Sequence, residues 1–398
     1  MRIAATLLAV AAVPVALASG YLLLLTLRSR RTETPALGDP STRFQVVVPA
    51  HDEAAGIAET VRSLRDIDYP AELFEVVVVA DNCKDDTAAR ARAAGARVLE
   101  RTDDELRGKG YALAHAFEAC LADAARTDAV VVVDADTVVS RNLLRAFDAR
   151  LRAGAKAVQA DYAVRNPDDG WRTRLMAIAF GMFHIVRSTG RESLGVSCGL
   201  RGNGMCFSTD LLEEVPHDAF SVVEDLEYGI RLGERGHRVH YAGEAHVYGD
   251  MVASEKASRS QRARWEGGRM QMAKRHALPL LARAFKERDP VLADLAMDVL
   301  VPPLSVLVTA AAVGTAASAA LAVVTRRPNA ALVLFGASNL CLAAYAVRGW
   351  QLSGTGTRGL ATLCYAPVYM VWKATLGLRK TRRTPADWVR TARPGESA

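Results

Sequence analysis

Only six cysteines are scattered over the 398 residues (Cys83, Cys120, Cys198, Cys206, Cys341 and Cys364), and no two stand in a C-x-x-C spacing. That argues against a structural zinc framework, and a cytoplasmic domain would keep the thiols reduced, so a disulfide scaffold is not expected either. No G-x-x-x-x-G-K-[ST] loop is present, which excludes a Walker-type phosphate cradle. Lysine is scarce beside arginine, a bias that hints at a GC-rich bacterial genome. The formal net charge is +6, yet no nucleic-acid-binding motif accompanies it. Much of the excess lies beside apolar runs, where arginines meet anionic lipid, so membrane lipid and not nucleic acid is the expected partner.

Charge itself is missing from the two ends of the chain. Ile3 to Leu27 holds no charged residue, and it is long enough to cross a hydrocarbon layer of roughly 30 Å as a helix. A cleaved signal peptide is the alternative, with Ala16 and Ala18 ahead of Gly20. The apolar run continues past that point to Leu27, however, and Arg28, Arg30 and Arg31 follow it. These arginines are expected to stay in the cytoplasm, with the N-terminus outside and the middle of the chain inside. Towards the C-terminus, apolar runs cover Val299 to Val324, Ala330 to Val347 and Leu360 to Leu378. The first two read as a hairpin of spanning helices. The third contains Lys373 and runs into Arg379, Lys380, Arg382 and Arg383, so an interfacial amphipathic segment with a cytoplasmic tail is the preferred reading. The expected organisation is a transmembrane anchor (1–31), a cytoplasmic domain (43–290) and a membrane region with a basic tail (291–398), giving a multi-pass protein of the cell membrane.

Within the middle, Phe44 to Pro49 (FQVVVP), Phe74 to Ala80 (FEVVVVA) and Ala129 to Val133 (AVVVV) are continuous apolar runs. Helical stretches follow the first two, over Ala54 to Leu64 and up to Ala94. Runs that do not alternate imply burial on both faces, hence an α/β fold with a mainly parallel sheet covered by helices. Ligands of such sheets bind beyond the carboxyl ends of the strands. Those ends carry His51, Asp52 and Glu53, then Asp81 and Asn82, then Asp134 and Asp136.

Asp134-Ala135-Asp136 places two hard oxygen ligands just outside a buried strand, which suits Mg²⁺ or Mn²⁺ bridging a diphosphate. A helix cap or turn aspartate would explain one of the two. Glu224-Asp225 opens another helix, where a carboxylate could take a proton from an acceptor hydroxyl; capping is again the alternative. Gln261 to Trp265 (QRARW) lies on a basic stretch with Arg259 and Arg269. Arginine suits phosphate and tryptophan offers a face for a sugar ring, while a basic helix on the membrane surface competes with that reading. Arg107 to Gly110 (RGKG) allows close backbone approach, with Lys109 in reach of a phosphate. Arg201 to Gly204 (RGNG) is a polar turn suited to lining an acceptor site, or an ordinary turn.

Taken in order, VVVPAHDE, VVADNCKDDTA, RGKGYAL, VVVDADT, RGNGMCFS, VEDLEYG and QRARW resemble the motif series of inverting family 2 glycosyltransferases with the GT-A fold. The closest likeness is to the membrane-bound branch of cellulose, chitin and hyaluronan synthases and bacterial exopolysaccharide glycosyltransferases. The resemblance spans Phe44 to about Arg269. It implies a nucleotide-sugar donor, with uracil the usual base, and a saccharide or lipid-linked acceptor. Pro49, Ala50, His51 and Glu53 match the first nucleotide loop, Asp81 the aspartate that reads the base, and Lys109 a donor-site lysine. Asp134 matches the aspartate near the ribose and donor sugar, and Asp136 the metal ligand. Asp225 matches the general base, with Glu224 beside it, and Gly202 and Asn203 fall at the acceptor side. Gln261, Arg264 and Trp265 match a signature in which the arginine holds the diphosphate and the tryptophan lies under the acceptor. His51-Asp52-Glu53 and Val223-Glu224-Asp225 depart slightly from the usual motifs without removing a charge. Chain extension is the expectation from Q-x-x-R-W; a single transfer to a lipid carrier and an inactive membrane scaffold are the rivals.

Overall fold

Consecutive valines bury both faces of a strand, and the period of two divides them between two cores. A computed structural model shows this division directly; it describes residues 2–30, 32–123, 127–251 and 255–366, with backbone alone at 255–265. The strands are β1 (Phe44–Ala50), β2 (Phe74–Asp81), β3 (Arg97–Arg101), β4 (Ala129–Val132), β5 (Thr137–Val139), β6 (Ala157–Val164), β7 (Met205–Ser208) and β8 (Val239–Gly249). Val46, Val48, Val76, Val78 and Val131 enter one core, under helices Ile57–Arg65 and Leu143–Arg152. Val47, Val79, Val130 and Val132 enter the other, under helices Lys109–Leu121 and Glu224–Glu234.

The eight strands form one sheet in the order β3-β2-β1-β4-β7-β6-β8-β5. The β3-β2-β1-β4 half is parallel, β7 runs antiparallel to both neighbours, β6 and β8 are parallel, and β5 closes the edge antiparallel to β8. The α/β, mainly parallel architecture therefore stands, and β1, β2 and β4 end on a common rim.

Among the described residues, three helices are long and apolar enough to cross a membrane: Arg2–Arg28, Leu304–Thr325 and Ala330–Leu352. The apolar run read from Val299 is broken. A shorter helix, Pro290–Leu300, ends there, and helix Leu304–Thr325 starts only after Pro302 and Pro303, which cannot donate backbone hydrogen bonds to a continuing helix. Arg326, in the left-handed region at φ 53°, and the Asn329 cap turn the chain into the returning helix. The third run begins inside helical turns Gly356–Thr362 and Leu363–Tyr365, and its residues 367–378 fall outside the described residues.

Two packings cross the boundaries expected from sequence. Helix Trp171–Phe180, a wider π-turn Gly181–Val186 and helix Arg187–Ser193 leave the sheet and join the long apolar helices, burying Ile178, Met182 and Val186 against Leu22, Phe335, Leu342 and Tyr345. At Gly181 and Gly349 the two backbones approach too closely for any Cβ. Helix Pro290–Leu300 in turn packs Leu292, Leu295 and Val299 on Ile230 and on Leu280 of the long helix Glu255–Glu287, so the 290/291 boundary runs through a shared apolar cluster.

Candidate active site

Each strand end contributes differently to the rim. At β1, Pro49 and Ala50 are buried within the parallel ladder opposite Val79 and Ala80, so they shape the loop through the backbone. His51 Nδ1 lies 2.7 Å from the Asp81 carbonyl, and the Glu53 N–H donates to Thr87 Oγ1 at 2.8 Å. Asp52 and Asn82 both take positive φ, 53° and 52°, which marks two tight turns side by side. Asp52, Cys83 and Asp85 gather so closely that their ligand atoms lie within 4.8 Å of one another. Asp52 and Asp85 accept from the Lys84 and Ala54 N–H groups across the gap, which ties the two loops together.

Asp81 is buried at the end of β2. Its carboxylate takes a 2.7 Å hydrogen bond from Arg101 Nη1, at the end of β3, and one from Asn82 Nδ2 at 3.3 Å. Arg101 has no place in the sequence reading, because RVLER is too short and too charged to announce a strand. Its signal is position alone, the last residue of the strand next to Asp81.

The centre of the site is a charged knot. Gly108, at φ 135°, lets the chain turn sharply so that Lys109 opens its helix. Lys109 Nζ donates to Asp134 Oδ1 and to the Gly202 carbonyl, both at 2.6 Å, and lies 3.6 Å from Glu224 Oε1. Burial pulls this ammonium down, but Asp134 and Glu224 outweigh it and leave its pKa raised. Burial pushes Glu224 up to about 7, against the pull of Lys109. Desolvation also raises the neighbouring Asp225, against the pull of a backbone hydrogen bond from Leu226 and of the Lys109 charge. Asp136 is exposed at the rim, while Asp134 is half-buried behind it.

Gly202 has φ 77°, and a Cβ there would stand 3.4 Å from Asp225 Oδ2 and 3.6 Å from Lys109 Nζ. Space is ordinary, so strain decides: Gly202→Ala is expected to lose about 1–2 kcal/mol for an L-residue in the left-handed region, seen as a lowered thermal midpoint of the purified protein. An unchanged midpoint would show that the turn relaxes freely.

Asn203 departs from the sequence expectation of an acceptor contact. It is fully buried; its Oδ1 accepts from the Asp134 N–H at 3.1 Å and its Nδ2 donates to Thr137 Oγ1 at 2.8 Å. It holds the Asp134–Asp136 turn from beneath, since a buried amide must spend its hydrogen bonds on neighbours. Gln261, Arg264 and Trp265 lie in helix Glu255–Glu287, and their side chains are outside the described residues.

Residues 40–268 match the sequence profile of "glycosyltransferase like family 2". The chain belongs to that family. A glycosyltransferase of Haloferax volcanii, AglD, is 37% identical over 115 residues, 27% of this chain and 18% of that protein. A beta-monoglucosyldiacylglycerol synthase of Synechocystis is 29% identical over 250 residues, 59% of this chain and 51% of that protein. The family 2 chain thus spans about half or less of the length of these two relatives. Among solved structures, a mannosyltransferase of Pyrobaculum calidifontis in complex with GDP-Man and Mn²⁺ superposes with TM-score 0.54 at 22% identity, covering 86% of this chain and 97% of that one. That likeness shows a shared GT-A fold.

Proposed function

We propose that this protein is a membrane-embedded inverting glycosyltransferase, taking a sugar from a nucleotide-sugar donor, a UDP-sugar by the Asp81 motif, to a saccharide or lipid-linked acceptor of the cell surface. The observation that carries this reading is the convergence of Lys109, Asp134, Gly202, Glu224 and Asp225 from four separate segments onto the rim where Asp136 stands exposed. Asp225 takes the acceptor hydroxyl proton as that oxygen bonds to the anomeric carbon, and the bond from that carbon to the diphosphate oxygen breaks on the opposite side. Lys109 orients Asp134, and Arg264 is assigned to the departing diphosphate. The carboxylates of Asp134 and exposed Asp136 fit Mg²⁺ or Mn²⁺, hard cations that prefer oxygen ligands. When bound, such an ion supplies positive charge to the diphosphate. We assign the helix ends that carry Arg28 and Arg348, where Arg348 meets Ser29, to the cytoplasm, because basic residues flank the apolar helices there.

A single sugar transferred to a lipid carrier, in place of chain extension, is the second reading. It is favoured by the helix 171–193 that carries the catalytic domain into the membrane helices, and the Synechocystis relative is named for a diacylglycerol product. A screen of nucleotide sugars with the membrane-reconstituted protein tests both readings. Transfer from a uridine donor should fall at least tenfold in excess chelator and return with Mn²⁺. No turnover of any donor would favour an inactive scaffold, and turnover indifferent to chelator would remove the metal.

The Glu224–Asp225 pair sets a pH dependence. The base must be ionised, so kcat/KM falls as pH drops through the titration of Asp225, which desolvation lifts above its ordinary carboxylate value. Glu224→Gln removes the adjacent negative charge, and the acid limb should move about a pH unit lower. A limb that stays in place would assign the titration to another group.

A further inference from the structure

Where the sheet domain meets the membrane helices, four arginines are packed around two carboxylates. Asp298 takes Arg187 at 3.2 Å, Arg269 at 3.1 Å and Arg191; Asp294 takes Arg191 at 3.1 Å and accepts the Tyr21 hydroxyl at 2.7 Å. Among the described residues, Arg201 has no carboxylate within ion-pair distance; its Nη2 donates to the Cys198 carbonyl at 3.0 Å, and its Nε is buried without a hydrogen-bond acceptor. Three of these guanidiniums share one ring: Arg201 lies 4.5 Å, Arg187 4.8 Å and Arg269 5.5 Å from the centroid of Phe183. The adjoining His184, also buried, leaves Nδ1 unpartnered. The cluster therefore holds two more cations than anions in a poorly hydrated place, and burial, not offset by Asp298, pulls the Arg201 guanidinium down to about 10.

An uncompensated buried charge is costly, and guanidinium edges fit the oxygens of a phosphoryl group. We propose that Arg187, Arg201 and Arg269, gathered around Phe183, form a phosphoryl-binding subsite beside the acceptor end of the active site. Arg201 directly precedes Gly202, which abuts Asp225, so the bound group sits next to the base. The assignment rests on the reading that an acceptor hydroxyl meets Asp225, and it defines the acceptor as carrying, or lying against, a phosphoryl group. That group is supplied either by a membrane lipid or by a soluble phosphate.

The full chain in neutral detergent decides, with radiolabelled dioleoyl phosphatidic acid as the lipid probe, and with dioleoylglycerol, inorganic phosphate and UDP as competitors. Wild type should bind phosphatidic acid at least tenfold more tightly than Arg201→Gln, with part of the affinity recovered in Arg201→Lys. Inorganic phosphate should compete, and dioleoylglycerol should not. Phosphatidic acid held far above inorganic phosphate assigns a lipid carrier; comparable affinities assign a soluble one. Because Arg201 lacks a counter-charge, Arg201→Gln should keep or raise the thermal midpoint without ligand, whereas an arginine needed for the fold would lower it. Three outcomes overturn the subsite: Arg201→Gln binding within twofold of wild type, an equal loss in Arg326→Gln/Arg327→Gln at the distant helix turn, or displacement of the lipid by UDP. The assay needs no donor turnover. Failed binding with intact transfer removes the subsite alone, and turnover retained by Asp225→Asn removes the catalytic reading alone.

Discussion

Replacing Asp225 by asparagine is expected to lower sugar transfer roughly a thousandfold, within the range that a positioned general base contributes, while donor binding changes little. Asparagine keeps the volume and still accepts hydrogen bonds, but it cannot hold the acceptor proton at neutral pH. The surroundings of Asp225 suit a base, since desolvation raises its pKa while Lys109 and Arg201 keep it from rising without limit. Gly202 leaves room for an approaching hydroxyl, since the nearest atom a side chain would meet there is Asp225 Oδ2 at 3.4 Å. Single-turnover transfer from a radiolabelled donor isolates the step, with donor affinity measured separately. Near-normal turnover would move the base elsewhere, and Glu224, pushed up to about 7, would be the first to test.

Asp225 is visible in the sequence because its motif survives without the fold, and the same holds for β1, β2 and β4. Their valine runs bury both faces of a sheet, and nothing else in the chain has that composition. Other strands are less legible. RVLER and Thr137–Val139 are too short to show a period, and β8 (VHYAGEAHVYG) alternates polar and apolar residues, unlike the valine runs. Asn203 lies beside the site but supports the Asp134 turn instead of facing an acceptor, because a sequence shows that an amide is present and not which way it faces. The helix over 171–193 is hidden altogether. Arg187 and Arg191 make it look like an ordinary surface helix, and only the fold reveals that both are buried against Asp294 and Asp298, one helical turn apart in PVLADLAMDVL.

That pairing gives the largest expected effect on stability. Asp298→Asn should destabilise the folded protein by about 3–5 kcal/mol, the cost of removing one partner from a buried ion pair. Burial pushes the Asp298 carboxyl up, but Arg191, Arg269 and Arg187 outweigh it and hold it well below the usual carboxylate range. A neutral amide would leave those guanidiniums without their charge partner at the place where helix Arg2–Arg28, the sheet domain and helix Ala330–Leu352 meet. Tyr345→Phe makes a useful contrast. It removes the hydroxyl that accepts from Arg187 Nε at 3.0 Å and donates to the Met182 carbonyl at 2.8 Å, and should cost only about 1 kcal/mol for neutral or singly charged hydrogen bonds. The pH dependence follows from the sign of the Asp298 shift. A depressed carboxylate contributes fully above its ordinary value of 3.8 and loses that contribution as pH falls toward the lower folded value. Thermal unfolding in detergent should therefore separate wild type from Asp298→Asn widely at pH 7, and the gap should narrow below pH ~3.8. Equal midpoints at neutral pH would mean that the cluster stays hydrated enough to dispense with its central anion. In that event Arg201, beside it, would have no reason to recruit a phosphoryl group.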